Sequence, residues 1–187
     1  MEDIIQLKIA LKWSNPPIWR RVLVNKKSTF FDLHNIIQLV MGWENCHLYK
    51  FTINHYRIGV PDEGFGEMFF SRSKVLDAKT IMLGSKIVEP KMKFEYEYDF
   101  GDSWVHQITV EKFLPIDINV KYPHCTGGKL NCPPEDCGGI GGYYGLLEVL
   151  NDKQHPDRED AIDWLGSEYD PDYFSVDFAN KKLSLLH

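Results

Sequence analysis

The sequence predicts an α+β fold, a mostly antiparallel sheet carrying a few amphipathic helices. Three observations predict it. Apolar and polar residues alternate in several segments, the period of strands with one buried face. A stripe of helical period runs from Phe30 to Met41 between a capping signal and a glycine. The composition, 43% hydrophobic and 26% charged over 187 residues, suits one globular core that needs no staples. With no internal repeat and no linker, residues 1–187 read as one domain.

Ile5, Leu7, Ile9, Leu11 and Trp13 alternate with Gln6, Lys8, Ala10 and Lys12, which makes a first strand. Asn15-Pro16-Pro17 stops it, and residues 18–24 resume extended structure. Thr29 and Asp32 stand at capping-box spacing ahead of Phe30, Leu33, Ile36, Ile37, Val40 and Met41. Gly42 occupies the C′ position of that helix.

Residues 47–53 alternate as a strand, and Asn54-His55 turns the chain into Tyr56-Arg57-Ile58. Residues 60–74, rich in Gly and Ser, read as a loop, and a short helix is expected near 79–85. Met92, Phe94, Tyr96, Tyr98 and Phe100 share one strand face, continued by Trp104, His106, Ile108 and Val110. Matching the faces predicts a hairpin with a three-residue loop, Gly101-Asp102-Ser103. Its register sets Tyr98 opposite His106, Tyr96 opposite Ile108 and Lys93 opposite Glu111, with Gly101 or a neighbour at positive φ.

Residues 115–142 show no periodicity and read as an irregular loop. One helix follows with Tyr143, Leu146, Leu147 and Leu150 on a face. Another begins at His155-Pro156-Asp157, buries Ala161, Trp164 and Leu165, and ends at Gly166. The remainder, through Phe174, Val176 and Phe178, is expected as a packed segment or short strand.

Charge is unevenly spread. Residues 1–93 carry 14 Lys/Arg and 9 Asp/Glu, whereas residues 94–187 carry 7 and 18, for a net charge of −6 overall. The two halves are expected to attract one another within one fold, and the acidic total disfavours nucleic acid as a partner. No apolar run approaches the ~18 residues that span a bilayer. The acidic start, Met1-Glu2-Asp3, leads into alternation and not into a signal peptide. A cytoplasmic chain without a membrane partner is expected, with its four Cys as thiols or metal ligands and not as disulfides.

Several strings occur in order along the chain: Pro16-Pro17-Ile18-Trp19-Arg20-Arg21, Asp32-Leu33-His34, Met41-Gly42-Trp43 with His47-Leu48, Tyr98-Asp99-Phe100-Gly101-Asp102-Ser103-Trp104-x-His106, and Pro133-Pro134-Glu135-Asp136-Cys137-Gly138-Gly139 with Gly142-Tyr143. In this combination the sequence resembles the plasmid pRiA ORF-three-like family, whose members also occur as passenger proteins of insertion elements. The resemblance implies a compact mixed α/β fold of roll type and no particular activity.

Four groups of residues could carry chemistry. Asp99, Asp102 and His106 flank one turn, where two carboxylates and an imidazole suit a divalent metal or acid–base work; the bland reading is turn chemistry around a half-buried histidine. Cys125, Cys132 and Cys137 make zinc the cofactor to consider, with His124, His106, His47 or water as a fourth ligand; the bland reading is buried thiols. Glu135 and Asp136 precede a glycine-rich lead-in to a helix, where they would cap its N-terminus. Trp19, Arg20 and Arg21, with Trp104 of the hairpin, are the binding candidates. Alternation places Arg20 and Arg21 on opposite faces, so one of them is expected to pair internally with an acid of the second half.

Neither His34 nor His47 stands out from a satisfied core histidine. Without a complete catalytic constellation, enzymatic activity stays open, and the leading expectation is a binding or interaction module for an unidentified ligand or protein, linked to mobile elements or regulation. The alternatives are a metal-dependent hydrolase built on the Asp/His/Glu residues and a structural zinc at the Cys loop. The place to look is between the Asp99–His106 hairpin and the Glu135–Gly139 loop, where Asp99, Asp102, Glu135 and Asp136 would crowd together.

Overall fold

Alternating burial organises the chain into one open sheet of eight strands in a computed structural model that describes residues 3–61, 75–166 and 169–186. In chain order the strands are β1 (Ile4–Leu11), β2 (Trp19–Asn25), β3 (Tyr49–Ile53), β4 (Tyr56–Gly59), β5 (Val75–Asp77), β6 (Lys93–Tyr98), β7 (Trp104–Leu114) and β8 (His124–Lys129). Across the sheet the order is β5-β4-β3-β6-β7-β1-β2-β8, antiparallel throughout except for the parallel pair β4–β5. Four helices accompany it: α1 (Phe30–Met41), α2 (Gly139–Asn151), α3 (Arg158–Leu165) and α4 (Val176–Leu183). The expected α+β architecture is therefore the observed one.

Helix α1 forms where its signals say. Thr29 and Asp32 close a reciprocal capping box, and Gly42 ends the helix at φ 102°. Its apolar face meets the inner face of the sheet, where Phe30 packs edge-on against Phe51 with ring centroids 5.1 Å apart. The outer face is a lattice of charge. Lys12–Glu95 (2.8 Å), Lys50–Glu97 (2.6 Å) and Arg21–Glu111 (2.7 Å) each join a cation of the first half to an acid of the second. The uneven charge thus serves sheet pairing, although exposed pairs of this kind stabilise by only about 0.2–1 kcal/mol each.

Several expectations are corrected. The β6–β7 hairpin has a five-residue loop, with Tyr98 opposite Trp104 and Tyr96 opposite His106. A slip of two residues keeps every side chain on its face, so alternation could not distinguish the registers. The left-handed residues are Asp99 (φ 54°) and Ser103 (φ 55°), and Phe100 leaves the inner face to sit near Lys50. Glu111 is claimed by Arg21 and Gln6, and Lys93 faces Thr109.

Residues 124–129, read as loop, form the edge strand β8. Its glycines lie beneath rings: a Cβ at Gly128 would stand 2.5 Å from the Phe174 ring and 2.9 Å from the Trp19 carbonyl. Trp13 is exposed at φ 62°, beyond the end of β1. Helix α3 ends at Gly166 as expected but buries no residue, and Trp164 is half exposed. The C-terminal segment is helix α4, whose Asn180 grips the free edge of β8: its Oδ1 accepts the Cys125 N–H at 2.8 Å and its Nδ2 donates to the Cys125 carbonyl at 2.9 Å. The helix expected near 79–85 is a short 3₁₀ turn at Leu83–Ser85, and most of the 60–74 loop, residues 62–74, lies outside the described residues.

Two histidines lie in the core. His34 of α1 stacks on Tyr49 (centroids 3.5 Å apart, 6° between planes). Gln38 Nε2 donates to the Tyr96 hydroxyl at 2.9 Å, and that hydroxyl lies 2.8 Å from His34 Nδ1. His34 Nε2 stands 2.6 Å from Asn45 Oδ1, so a neutral ring satisfies the chain as donor at Nε2 and acceptor at Nδ1. Burial pushes the pKa of His34 down to about 4 and that of His106 down to about 3.

Unfolded imidazoles titrate near pH 6.5. The unfolded chain therefore binds more protons below that pH, and stability falls as pH drops from about 6.5 towards 4. Urea midpoints measured from pH 7.5 to 4 should fall in the wild type and fall less steeply in His34→Gln; parallel curves would refute the assignment. In the same assay Gly128→Ala should lose roughly 1–3 kcal/mol by overpacking. Gly145→Ala, in an open position of α2, should gain about 0.5–1 kcal/mol.

Candidate metal centre

The hairpin and the 131–138 loop do approach, and they meet around His47, expected at most as a ligand beside the cysteines. His47 precedes β3, in the segment between Gly42 and Tyr49. Its Nε2 lies 3.0 Å from Asp136 Oδ1, 3.7 Å from Glu135 Oε2 and 3.9 Å from Asp99 Oδ2. That nitrogen is shut off from solvent and makes no hydrogen bond to any of them. Donor atoms of His47, Asp99 and Asp136 all fall within 4.8 Å of one another.

Two of the carboxylates are held by the oxygen they do not turn to His47. Glu135 Oε1 accepts the Glu44 N–H at 2.6 Å and the Tyr98 hydroxyl at 3.1 Å, leaving Oε2 towards the imidazole. Asp99 Oδ1 accepts the Gly101 N–H at 2.9 Å, leaving Oδ2. Asp99 and Asp136 both sit in the left-handed region, at φ 54° and 57°, a conformation Asp tolerates at some cost in energy. The Tyr98 hydroxyl also accepts the N–H groups of Cys46 (2.9 Å) and His47 (3.3 Å), so one side chain ties the histidine's backbone to Glu135. Burial raises the Tyr98 pKa, and the hydroxyl remains a donor.

Two like charges about 4.8 Å apart repel by roughly 3 kcal/mol at an effective dielectric near 20. A cation among these oxygens and the imidazole would remove that cost and complete the partners of Nε2. One imidazole with two or three carboxylates is a donor set for Mn²⁺, Fe²⁺ or Zn²⁺. Tyr98 would then act as the outer hydrogen-bond support such ligands require.

The other candidates fall elsewhere. Asp102 Oδ2 accepts the Gly138 N–H at 3.0 Å, which locks the hairpin to the lead-in of α2. That bond occupies the helix N-terminus, and Glu135 and Asp136 do not cap it as expected. Gly142 belongs there because a Cβ would meet the Cys137 carbonyl at 1.8 Å. His106 is fully buried beneath Trp43, with Nδ1 at 3.0 Å from the Trp104 carbonyl, and does not join the cluster.

Cys125, Cys132 and Cys137 do not converge: among the described residues, the grouped donors are His47, Asp99 and Asp136. Burial raises all three thiol pKa values, that of Cys137 to about 12. Trp104 is buried against Trp43, and Trp19 stacks beneath Arg21 and Lys8 on the outer face. Arg21 pairs with Glu111, as expected for one of the two arginines, and Arg20 faces the interior.

His47 was considered only as a fourth ligand beside the cysteines, because it keeps step with Tyr49 and Phe51 and reads as part of their apolar face. A signal was available in Trp43-Glu44-Asn45-Cys46-His47, a polar run behind a helix-ending glycine, where a loop histidine is freer to face a site.

Beside the cluster opens a cleft of about 540 Å³ between the end of α1, the 131–136 loop and α4; Glu135 and Asp136 line it, as do Arg20 and Lys182. No helix among the described residues is long and apolar enough to cross a membrane.

Comparison with known proteins agrees with this architecture. The chain is 36% identical over 170 residues to the uncharacterized protein y4hQ of Sinorhizobium fredii, covering 90% of this chain and 84% of that one. It is similar in structure to MM3350, a protein of unknown function from Methanosarcina mazei, with a TM-score of 0.80 and 37% identity over 94% of this chain and 95% of the other. The model of the plasmid pRiA4b ORF-3-like proteins matches residues 3–178, and the chain belongs to that family.

Proposed function

We propose that His47, Asp99, Glu135 and Asp136 bind a divalent cation and that the protein is a metal-dependent binding module whose ligand enters the adjoining cleft. The observation that carries this reading is the His47 Nε2 atom, closed to solvent and without a hydrogen bond while carboxylates from two loops approach it. Buried polar nitrogens are seldom left unsatisfied, and a cation would satisfy this one. Glu135 and Asp136 belong to both the cluster and the cleft wall, so the ion would face an incoming ligand.

A second reading is metal-dependent hydrolysis. It is favoured by Asp136, whose side chain is 68% exposed at 3.0 Å from the imidazole, where it could take a proton from metal-bound water.

Titration of the metal-free protein with Mn²⁺, followed by electron paramagnetic resonance, should show one ion per chain. His47→Ala should weaken binding more than a hundredfold, and Tyr98→Phe by about 10–100-fold, the range for an outer-shell partner. Equal affinity in wild type and His47→Ala would sink the proposal. Turnover of p-nitrophenyl phosphate that chelator and Asp136→Asn both abolish would select hydrolysis; bound Mn²⁺ without turnover would select the binding module.

A further inference from the structure

The cleft beside the His47 cluster is lined by two cations that pair with no carboxylate among the described residues. Arg20 is 1% exposed. Its Nε donates to the Val40 carbonyl at 2.8 Å, and its Nη1 to the carbonyls of Trp19 (2.9 Å) and Lys129 (3.0 Å). These bonds satisfy N–H groups and complement the C-terminal end of α1, but a carbonyl carries no formal charge. Among the described residues Arg20 pairs with no acid. Burial lowers its pKa. The Phe174 ring lies over its guanidinium at 4.2 Å, and a buried charge that meets only dipoles and a ring face stays costly until an anion neutralises it.

Lys182 of α4 lines the same cleft, its Nζ 5.2 Å from the centre of the Phe178 ring, and it too pairs with no acid among the described residues. Arg20, Cys132, Glu135 and Lys182 all line this one cleft. At this cleft Tyr173 and Phe178 are each 50% exposed, although rings of that size normally bury more. Half-exposed rings beside cations form a stacking surface for a flat partner.

We propose that this cleft binds a phosphomonoester carried on a flat ring, with Arg20 and Lys182 taking the phosphoryl oxygens and Tyr173 and Phe178 the ring face. Two cations match a dianion better than a single carboxylate, and guanidinium with ammonium is a common phosphate-binding pair. Glu44, Glu135 and Asp136 line the cleft as well and would oppose an anion. The proposal rests on the metal-dependent reading to this extent: the ion at His47 neutralises the end that Glu135 and Asp136 occupy.

The test is calorimetric titration of the full chain with AMP, inorganic phosphate and adenosine, each with Mn²⁺ and with chelator. AMP should bind at least tenfold more tightly than phosphate or adenosine, and more tightly with Mn²⁺ than with chelator. Because Arg20→Met removes three buried hydrogen bonds and endangers the fold, Lys182→Met carries the argument. It should weaken AMP at least tenfold while the thermal midpoint and Mn²⁺ affinity stay near wild type. Absence of saturable AMP binding in both conditions, or equal AMP affinity in wild type and Lys182→Met, would overturn the proposal. Mn²⁺ binding without AMP binding would leave the metal reading standing alone. AMP binding that Lys182→Met weakens, in a protein that takes up no Mn²⁺, would uphold the anion site and reject the metal.

Discussion

The hydroxyl of Tyr98 is the contact on which the site depends. It accepts the backbone N–H groups of Cys46 and His47 and donates to Glu135 Oε1, so three distant stretches of chain meet at one oxygen. Tyr98 itself is fixed as the last residue of β6, paired with Tyr49 on one side and Trp104 on the other. Its ring stacks on Trp43 at 5.1 Å. The sheet thereby places a donor at a defined height, and the donor decides which oxygen of Glu135 turns towards His47. The next residue, Asp99, leaves the strand in a left-handed conformation and swings its carboxylate to the same nitrogen. A strand end followed by one strained residue is a rigid way to aim a ligand, because the register of the sheet sets its position.

The same economy appears on the two faces of the sheet. Outside, cations of the first half face acids of the second across neighbouring strands. Inside, α1 and aromatic rings fill the core, and one bonded polar chain, Gln38–Tyr96–His34–Asn45, runs through it. Such a chain demands a neutral imidazole and makes the core sensitive to acid. The cluster at His47 differs in kind: it gathers carboxylates from two loops around one imidazole, and two of its members pay in backbone strain.

Much of the fold was legible in residue pattern. Period two marked β1, β2, β3, β6 and β7, and the Thr29 box and Gly42 bracketed α1, because each signal is local and has a single physical cause. The failures have causes too. Two registers of the β6–β7 hairpin put the same residues on the same faces, and the choice fell to Asp99, whose side chain bonds Gly101 and whose N–H donates to Leu48. Strand β8 was hidden because Gly127 and Gly128 have low strand propensity and are placed there by Trp19 and Phe174, rings remote in sequence. At the site, Asp99, Glu135 and Asp136 were suggested by the crowding that would follow if their loops met. Asp102 was given the same role and instead fastens those loops together. His47 was legible only as one of several ligands to the cysteines, since its meeting with these carboxylates depends on the remote contact of its segment with Tyr98.

The most direct measurement is anomalous diffraction from crystals of the protein grown with Mn²⁺. The account predicts one strong anomalous peak at bonding distance from His47 Nε2, with Asp99, Asp136 and Glu135 around it and Tyr98 still bound to Glu135 Oε1. A map without density there, or with the ion at the cysteines and the imidazole turned away, would contradict it.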